Sequence, residues 1–248
     1  MDEFFPPIVF FEGTPFAMNR IMLIRVLMMT VMLVLFWLAL RRATVVPGRG
    51  QSVAELVMTF VRVNIVHDLL GKKMGERYLP LITSVFFGIL FMNIAGIIPG
   101  LNMAGTAVVG FPLLIALIAY GAFIYAGFKE AGGATFLRNA LFPPGVPWPM
   151  YILLTPIEFL NIFIVRPISL SLRLLLNMMV GHLLIVLCFS ATHFFLFTAG
   201  GWMPLIGVGT LAAGFVMTGI ELAVAVLQAY VFTLLTTVYI QQAAAKEH

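Results

Sequence analysis

Five ionisable side chains lie inside two long apolar stretches of this 248-residue sequence, leaving aside His193 near the turn between the stretches. The stretches run from residue 151 to about 197 and from about 205 to 242. An ionisable side chain at membrane depth is costly, so a function is the first hypothesis for each. The five residues are Glu158, Arg166, Arg173, His182 and Glu221.

Arg173 is the hardest of these residues to explain as purely structural. An arginine at the centre of a membrane helix costs about 3 kcal/mol, and its guanidinium does not lose its proton in proteins. Such a permanent charge serves as a barrier to protons or as a partner for a carboxylate. The partner is Glu221 of the other stretch or an acid on another subunit. Arg166 is explained equally well by snorkelling toward the headgroups.

Helical spacing places further polar residues beside Arg173. At 100° per residue, Arg166, Ser169 and Asn177 fall within roughly 40° of Arg173 and form one polar stripe. His182 lies nine residues beyond Arg173, which is about 180° around the helix and about 13 Å along it. We therefore expect His182 to face a separate aqueous cavity.

The second apolar stretch carries a polar stripe of its own. Glu221, Gln228 and Tyr239 fall within roughly 20° of one another on a helix. The environment of His and Glu can tune both groups to exchange protons near neutral pH. Two polar stripes in apolar surroundings therefore indicate a path for protons.

The composition predicts an all-α integral membrane protein. Hydrophobic residues make up 62% of the chain and charged residues 10%, whereas soluble domains are about 25% charged. Apolar runs of the length that a bilayer requires predict membrane helices at 21–40, 78–98 and 111–128. An amphipathic helix at 51–70, with the capping-box spacing of Ser52 and Glu55, is predicted in the membrane interface. No polar linker divides the chain, so we expect residues 1–248 to form one membrane domain.

The two long stretches leave two alternatives. Each holds two short spans, or each is a single helix about 60 Å long that is strongly tilted in the bilayer. No polar turn interrupts either stretch, which favours two long tilted helices at 151–197 and 205–242 packed as a hairpin. The small residues Gly207, Gly209, Gly214 and Gly219 are expected to allow close helix packing.

Basic residues predict the orientation of the chain. Seven Lys and Arg residues lie between residues 41 and 77, and none precedes Arg20. By the positive-inside rule, the segment 1–20 lies outside and the segment 41–77 is cytoplasmic. The C-terminus is then cytoplasmic as well, and we expect a multi-pass protein of a cell membrane.

Several other classes of function lack support in the sequence. The histidines show no metal-ligand spacing, no phosphate-binding loop for ATP is present, and no cofactor is expected. The basic residues flank spans and do not form a nucleic-acid-binding patch. An intramembrane hydrolase would need a catalytic constellation that we do not find. The remaining alternative is a secondary transporter with an ionisable site at the midplane, although the repeated broken helices of such proteins are absent from the pattern.

Two segments of the sequence resemble one protein family closely. Arg166-Pro-Ile-Ser-Leu-Ser-Leu-Arg-Leu-Leu-Leu-Asn-Met-Met-Val-Gly-His182 and Glu221-Leu-Ala-Val-Ala-Val-Leu-Gln-Ala-Tyr230 are similar to the signatures of subunit a of F-type ATP synthases. Phe91-Met-Asn93 also matches. The resemblance covers about residues 20–242, and Val45–Gly48 and Gly71–Lys73 suggest an actinobacterial type. Leu175, Leu176 and Val180 depart from the family's usual residues, which affects local packing and not the charges.

The resemblance implies a role for each candidate residue. Arg173 is expected to face the carboxylates of a rotating ring of c subunits and to separate two offset proton half-channels, with Gln228 beside it. His182 and Glu221 are expected to line the outer half-channel. The inner half-channel is expected to contain Glu158, Ser169, Asn177 and Tyr239.

The resemblance also implies the partners of the chain. It would be a non-catalytic, proton-translocating stator subunit that adjoins the c ring, the peripheral stalk of b subunits, the remainder of the ATP synthase and the lipid bilayer. ATP chemistry would take place on other subunits.

Overall fold

The computed structural model describes residues 8–10, 18–41, 48–98, 105–106, 108–141, 150–198 and 200–244. These residues form eight α-helices and one pair of short antiparallel strands, β1 (Ile8–Phe10) and β2 (Met18–Asn19). Of the segment 1–20, predicted to lie outside, the other residues up to Ala17 lie outside the described part of the chain. The predicted all-α membrane architecture is confirmed.

The front half of the chain contains five helices. They are α1 (Arg20–Leu40), α2 (Arg49–Phe60), α3 (Asp68–Ile94), α4 (Gly110–Ala126) and α5 (Gly133–Leu141). π-Helical turns at Val61–His67 and Gly127–Gly132 join α2 to α3 and α4 to α5. The backbone of α3 is interrupted at Gly71, whose φ of 68° is a conformation that glycine adopts without a steric penalty.

The back half of the chain is helical along nearly its whole length. Helices α6 (Tyr151–Leu160) and α7 (Arg166–His193) are joined by a π-helical segment, Asn161–Val165, and α7 continues as π-helical turns at Phe194–Thr198. Helix α8 (Pro204–Ala244) has 41 residues. Of the two alternatives for these stretches, the structure therefore has the long helices.

Five helical stretches of the described chain are long and apolar enough to cross a membrane. They are Arg20–Leu38, Gly50–Ile94, Gly110–Gly132, Leu153–Thr198 and Pro204–Ala244. Within hydrocarbon every backbone N–H and C=O must be bonded internally, which explains why apolar segments of this length are helical.

The expected capping box at Ser52 is wrong. Helix α2 begins at Arg49, Gly48 occupies the N-cap position, and no side chain caps the helix. Ser52 lies inside the first turn, where its backbone N–H donates to the carbonyl of Gly48. Glu55 instead accepts a 2.6 Å hydrogen bond from the Gln51 side chain. This i, i+4 contact lies on one face of the helix and does not cap its N-terminus.

The chain forms two compact units. The first contains Met1–Val34, Gly88–Val108 and Leu174–Ala229, and the second contains Leu35–Phe87, Val109–Arg173 and Tyr230–His248. In the first unit α7 and α8 run antiparallel, with Phe189 against Phe215 and the hydroxyls of Thr192 and Thr210 3.0 Å apart. That the whole chain acts as one membrane domain stays a prediction.

Glycines fit the helix packing of the first unit at some of the expected positions. A Cβ atom at Gly207 would lie 2.8 Å from the Leu196 side chain, and one at Gly214 would lie 3.2 Å from the Phe189 ring. A Cβ atom at Gly209 or Gly219 would meet open space. Close packing therefore explains Gly207 and Gly214 but not the other two.

Ion pairs and aromatic rings hold the second unit together. Glu76 accepts hydrogen bonds from Arg62 at 2.5 Å and from the His67 ring at 3.0 Å, and these contacts bridge the break at Gly71. Arg77 pairs with Glu130. Phe136 of α5 packs edge-on against Phe123 of α4 and covers Gly127.

We expect Gly127→Ala to destabilise the protein by about 1–3 kcal/mol, because the new methyl group would overlap the buried ring of Phe136. Gly121→Ala, one and a half turns earlier, adds its methyl group to open space and serves as the matched control. Thermal unfolding in detergent measures both variants. Equal midpoints for the two would contradict the packing described for this unit.

Candidate functional site

A pair of polar side chains, one of them buried, joins the two helices of the hairpin in the first unit. The Asn177 amide donates a 2.8 Å hydrogen bond to Oε1 of Gln228, and thus joins α7 to α8. Gln228 is buried, and its Nε2 has no hydrogen-bond partner among the described residues. The two polar stripes predicted from the sequence therefore meet at this pair.

Glu221 lies two turns before Gln228 on α8. Only 5% of the residue is exposed, and its Oε2 has no hydrogen-bond partner among the described residues. Its other oxygen would lie 3.1 Å from a Cβ atom placed at Gly181. The glycine at 181 therefore gives the carboxyl group the space that it occupies against α7.

A cavity of about 400 Å³ opens beside these residues. Asn177, Gly181 and Glu221 contribute to its lining, and the other residues that line it are apolar. A buried carboxyl group at an apolar cavity can take up or release a proton if water or a polar partner reaches it. Asn177 and Glu221, which the sequence assigned to opposite half-channels, thus line one cavity. Their assignment to two half-channels stays a prediction.

His182 does not line this cavity. It is half-buried and follows Gly181 directly in the chain, so that its side chain leaves the helix about 100° away from the Gly181 position. The structure thus brings Glu221 to Asn177 and Gln228, whereas no hydrogen bond or ion pair joins His182 to any residue of the described ranges. That His182 and Glu221 share one half-channel stays a prediction.

A second group of candidate residues belongs to the second unit. Glu158 and Arg173 are half-buried, and Ser169 is exposed on the surface of α7. Arg173 forms no ion pair with the described residues of its own unit. It lies near the middle of the 46-residue helical stretch Leu153–Thr198, far from both ends, as the sequence analysis assumed.

Tyr239 lies beside Arg166, for which the sequence allowed two explanations, a function or snorkelling toward the headgroups. The guanidinium of Arg166 lies over the Tyr239 ring, 4.7 Å from its centroid, and also over Phe123 at 5.6 Å. These cation–π contacts depend on how α4, α7 and α8 are aligned along one another. Neither the periodicity nor the motif of α7 could therefore reveal them. Arg166 therefore joins the candidate residues.

Comparisons with known proteins agree with these observations. The family model for the ATP synthase A chain matches residues 22–241. A protein of Rhodococcus erythropolis named ATP synthase subunit a is 47% identical over all of this chain and 90% of its own length. Proteins of the same name from Streptomyces lividans and Frankia alni are 39% and 37% identical, over 93% and 86% of this chain and 81% and 72% of their own lengths.

The chain belongs to the ATP synthase A chain family. The resemblance found in the sequence is thereby confirmed, including the actinobacterial type, since the Rhodococcus relative matches over the full length of the chain. The comparisons give no support to the secondary transporter. Among the described residues no group of three His, Cys, Asp or Glu residues could hold a metal ion.

We expect Gly181→Ala to lower ATP-driven proton pumping about 2- to 10-fold. The new methyl group would press on the Glu221 carboxyl group at about 3 Å and displace it by a few tenths of an ångström. Gly219→Ala is the matched control, because its methyl group would meet open space on the same helix as Glu221. Pumping in inverted membrane vesicles measures both variants, and equal rates would show that the position of Glu221 is not critical.

Proposed function

We propose that this chain is the proton-translocating stator subunit of the membrane sector of a rotary F-type ATP synthase. The relatives that it matches along most of its length carry the name ATP synthase subunit a. The chain would form two offset proton half-channels against a ring of c subunits, with Arg173 between them.

The observation that carries this proposal is the position of Arg173. A guanidinium half-buried in the middle of a long membrane helix, with no carboxylate paired to it among the described residues of its unit, is expected to have its partner on another element or subunit. Ser169 and Asn177 on the same stripe are exposed, and so are the neighbouring side chains Leu172 and Leu176. Polar groups left uncovered at membrane depth favour contact with another membrane subunit over contact with lipid.

The mechanism follows from the electrostatics of a carboxyl group that passes this surface. A proton that enters the outer half-channel, with His182 and Glu221, neutralises a ring carboxylate. The neutral carboxyl can face lipid at a much lower cost, and so the ring can turn. On the inner side, with Glu158, Ser169, Asn177 and Tyr239, the positive charge of Arg173 favours the ionised carboxylate and thereby the release of the proton.

Arg173 would also prevent protons from leaking directly between the two half-channels. A fixed positive charge between the two half-channels repels protons that would otherwise pass directly from one to the other. Gln228, whose buried Nε2 is unbonded among the described residues, would offer a hydrogen bond to a group that arrives beside Asn177. The neighbours proposed for this subunit are the c ring, the b subunits of the peripheral stalk and the rest of the synthase.

The orientation in the bacterial cell membrane is part of the proposal. The N-terminus would lie outside and the C-terminus in the cytoplasm, because the basic residues between the first two spans favour the cytoplasmic side. The ion pairs Arg62–Glu76 and Arg77–Glu130 involve residues of the segments before the second span and after the third span, both of which this orientation places on the cytoplasmic side.

We expect Arg173→Ala to reduce coupled ATP synthesis and ATP-driven pumping below about 1% of the unsubstituted rate, because the electrostatic partner of the ring carboxylate is lost. Arg173→Lys keeps the charge but not the planar fork of donors, and it should fail as well. Vesicle pumping measures both variants, with the amount of assembled complex as the control. Normal pumping by either variant would refute the role given to Arg173.

A further inference from the structure

Among the residues of the second unit that the structure describes, Arg166 has no anionic partner. The ion pairs of the described residues in that unit involve Arg62, His67 and Arg77, and none involves Arg166. Its guanidinium instead faces the rings of Tyr239 and Phe123. Aromatic faces attract a cation but do not neutralise it, so the positive charge still acts on its surroundings.

The rings that hold Arg166 are themselves fixed by packing. Phe123 is 3% exposed and contacts Phe136 and Tyr239 edge-on, with ring centroids 5.5 and 6.4 Å away. Arg166 is half-buried. Residues of α4, α7 and α8 thus define one position for the guanidinium, which a side chain snorkelling to the headgroups would not need.

The position of Arg166 along α7 relates it to Arg173. The two arginines are seven residues apart, which is two helical turns or about 10 Å, and they fall within roughly 40° on the helix surface. Tyr239 belongs to the group of residues that we assign to the inner half-channel. A fixed charge at this distance from a site of proton exchange changes how readily a carboxyl group there ionises.

We propose that Arg166 is a second fixed positive charge of the inner half-channel, held in position by Tyr239 and Phe123, which favours proton release to the inner side over proton uptake from it. This inference rests on the function proposed above. Arg166 exchanges no proton itself; it is a positioning and electrostatic residue that acts on the ring carboxyl group.

The other titratable groups nearby would not replace this charge. Within the second unit, the helices packed against Arg166 contribute the tyrosines Tyr120 and Tyr125 of α4 and Tyr230 and Tyr239 of α8, whose side chains supply no positive charge. Arg138 of α5, the helix that packs on Phe123, is exposed. Along the same helical stretch, Glu158 lies on α6, eight residues before Arg166, and Arg173 lies on α7, two turns after it. Arg166 and Arg173 are therefore the permanent cations along this face of α7.

The test is the dependence of the intact synthase on the pH of the inner side. Inverted vesicles expose the cytoplasmic face, and with it the inner half-channel, to the buffer. The pH of the buffer can therefore be varied while the pH inside the vesicle is held constant. In Arg166→Gln the ring carboxyl would hold its proton to a higher pH. We expect both the acid limb of ATP synthesis and the alkaline limb of ATP-driven pumping to move upward by about 0.3–1.2 pH units.

Control variants separate a charge effect from a structural one. Arg138→Gln removes an exposed arginine from the same unit and should leave both limbs in place. Arg166→Lys retains the charge and should keep the profile of the unsubstituted protein, even if the maximal rate falls. Arg166→Met is a second neutral variant, with an apolar side chain of similar length, for the case in which Arg166→Gln does not assemble.

The results at Arg166 and at Arg173 together distinguish a failure of this inference from a failure of the proposed function. If Arg173→Ala abolishes pumping and the neutral variants at 166 keep the profile of Arg138→Gln, the inference about Arg166 is overturned and the function stands. If neither neutral variant assembles while Arg166→Lys does, Arg166 is a structural residue and the inference is rejected. If Arg173→Ala pumps normally, the proposed function fails first.

Discussion

The structure depends on the cost of keeping ionisable side chains inside apolar helices. Each such group must be paired, neutralised or given a use, because hydrocarbon offers it no hydrogen bonds. The chain pairs its charges where it can, as in Arg62 with Glu76 and Arg77 with Glu130. Arg166 lies over aromatic rings instead. Arg173 and Glu221 are two further exceptions. One is a half-buried cation without an ion pair in its unit, and the other is a buried acid with a free oxygen among the described residues.

The surrounding helices provide precise positions for these exceptions. Gly181 leaves the space that the Glu221 carboxyl group occupies, and the Asn177–Gln228 hydrogen bond fixes the spacing of α7 and α8 beside it. In the second unit, the rings of Phe123 and Tyr239 hold the guanidinium of Arg166 in position. A π-helical segment, Asn161–Val165, precedes Arg166, and turns of this kind often occur at functional sites because they re-aim the side chains that follow.

The sequence predicted the architecture well because hydropathy and length decide it. Five apolar stretches became five long helices, and the absence of a polar turn correctly favoured the long-helix alternative. Helical spacing also anticipated that Asn177 and Gln228 lie on facing stripes. The cap of α2 was misassigned, because the helix begins at Arg49 and Ser52 therefore lies within its first turn. The contacts of Arg166 were out of reach, since they depend on the register of three helices distant in sequence.

The central claim is that the guanidinium of Arg173 faces a carboxylate that moves past it. A structure of the intact synthase in several rotary positions tests this most directly, through the distance between Cζ of Arg173 and the nearest ring carboxyl group. The account predicts that this distance falls to about 4–6 Å in at least one position, within reach of a direct electrostatic effect. A guanidinium that contacts water or headgroups in every position, with no carboxylate passing it, would contradict the account.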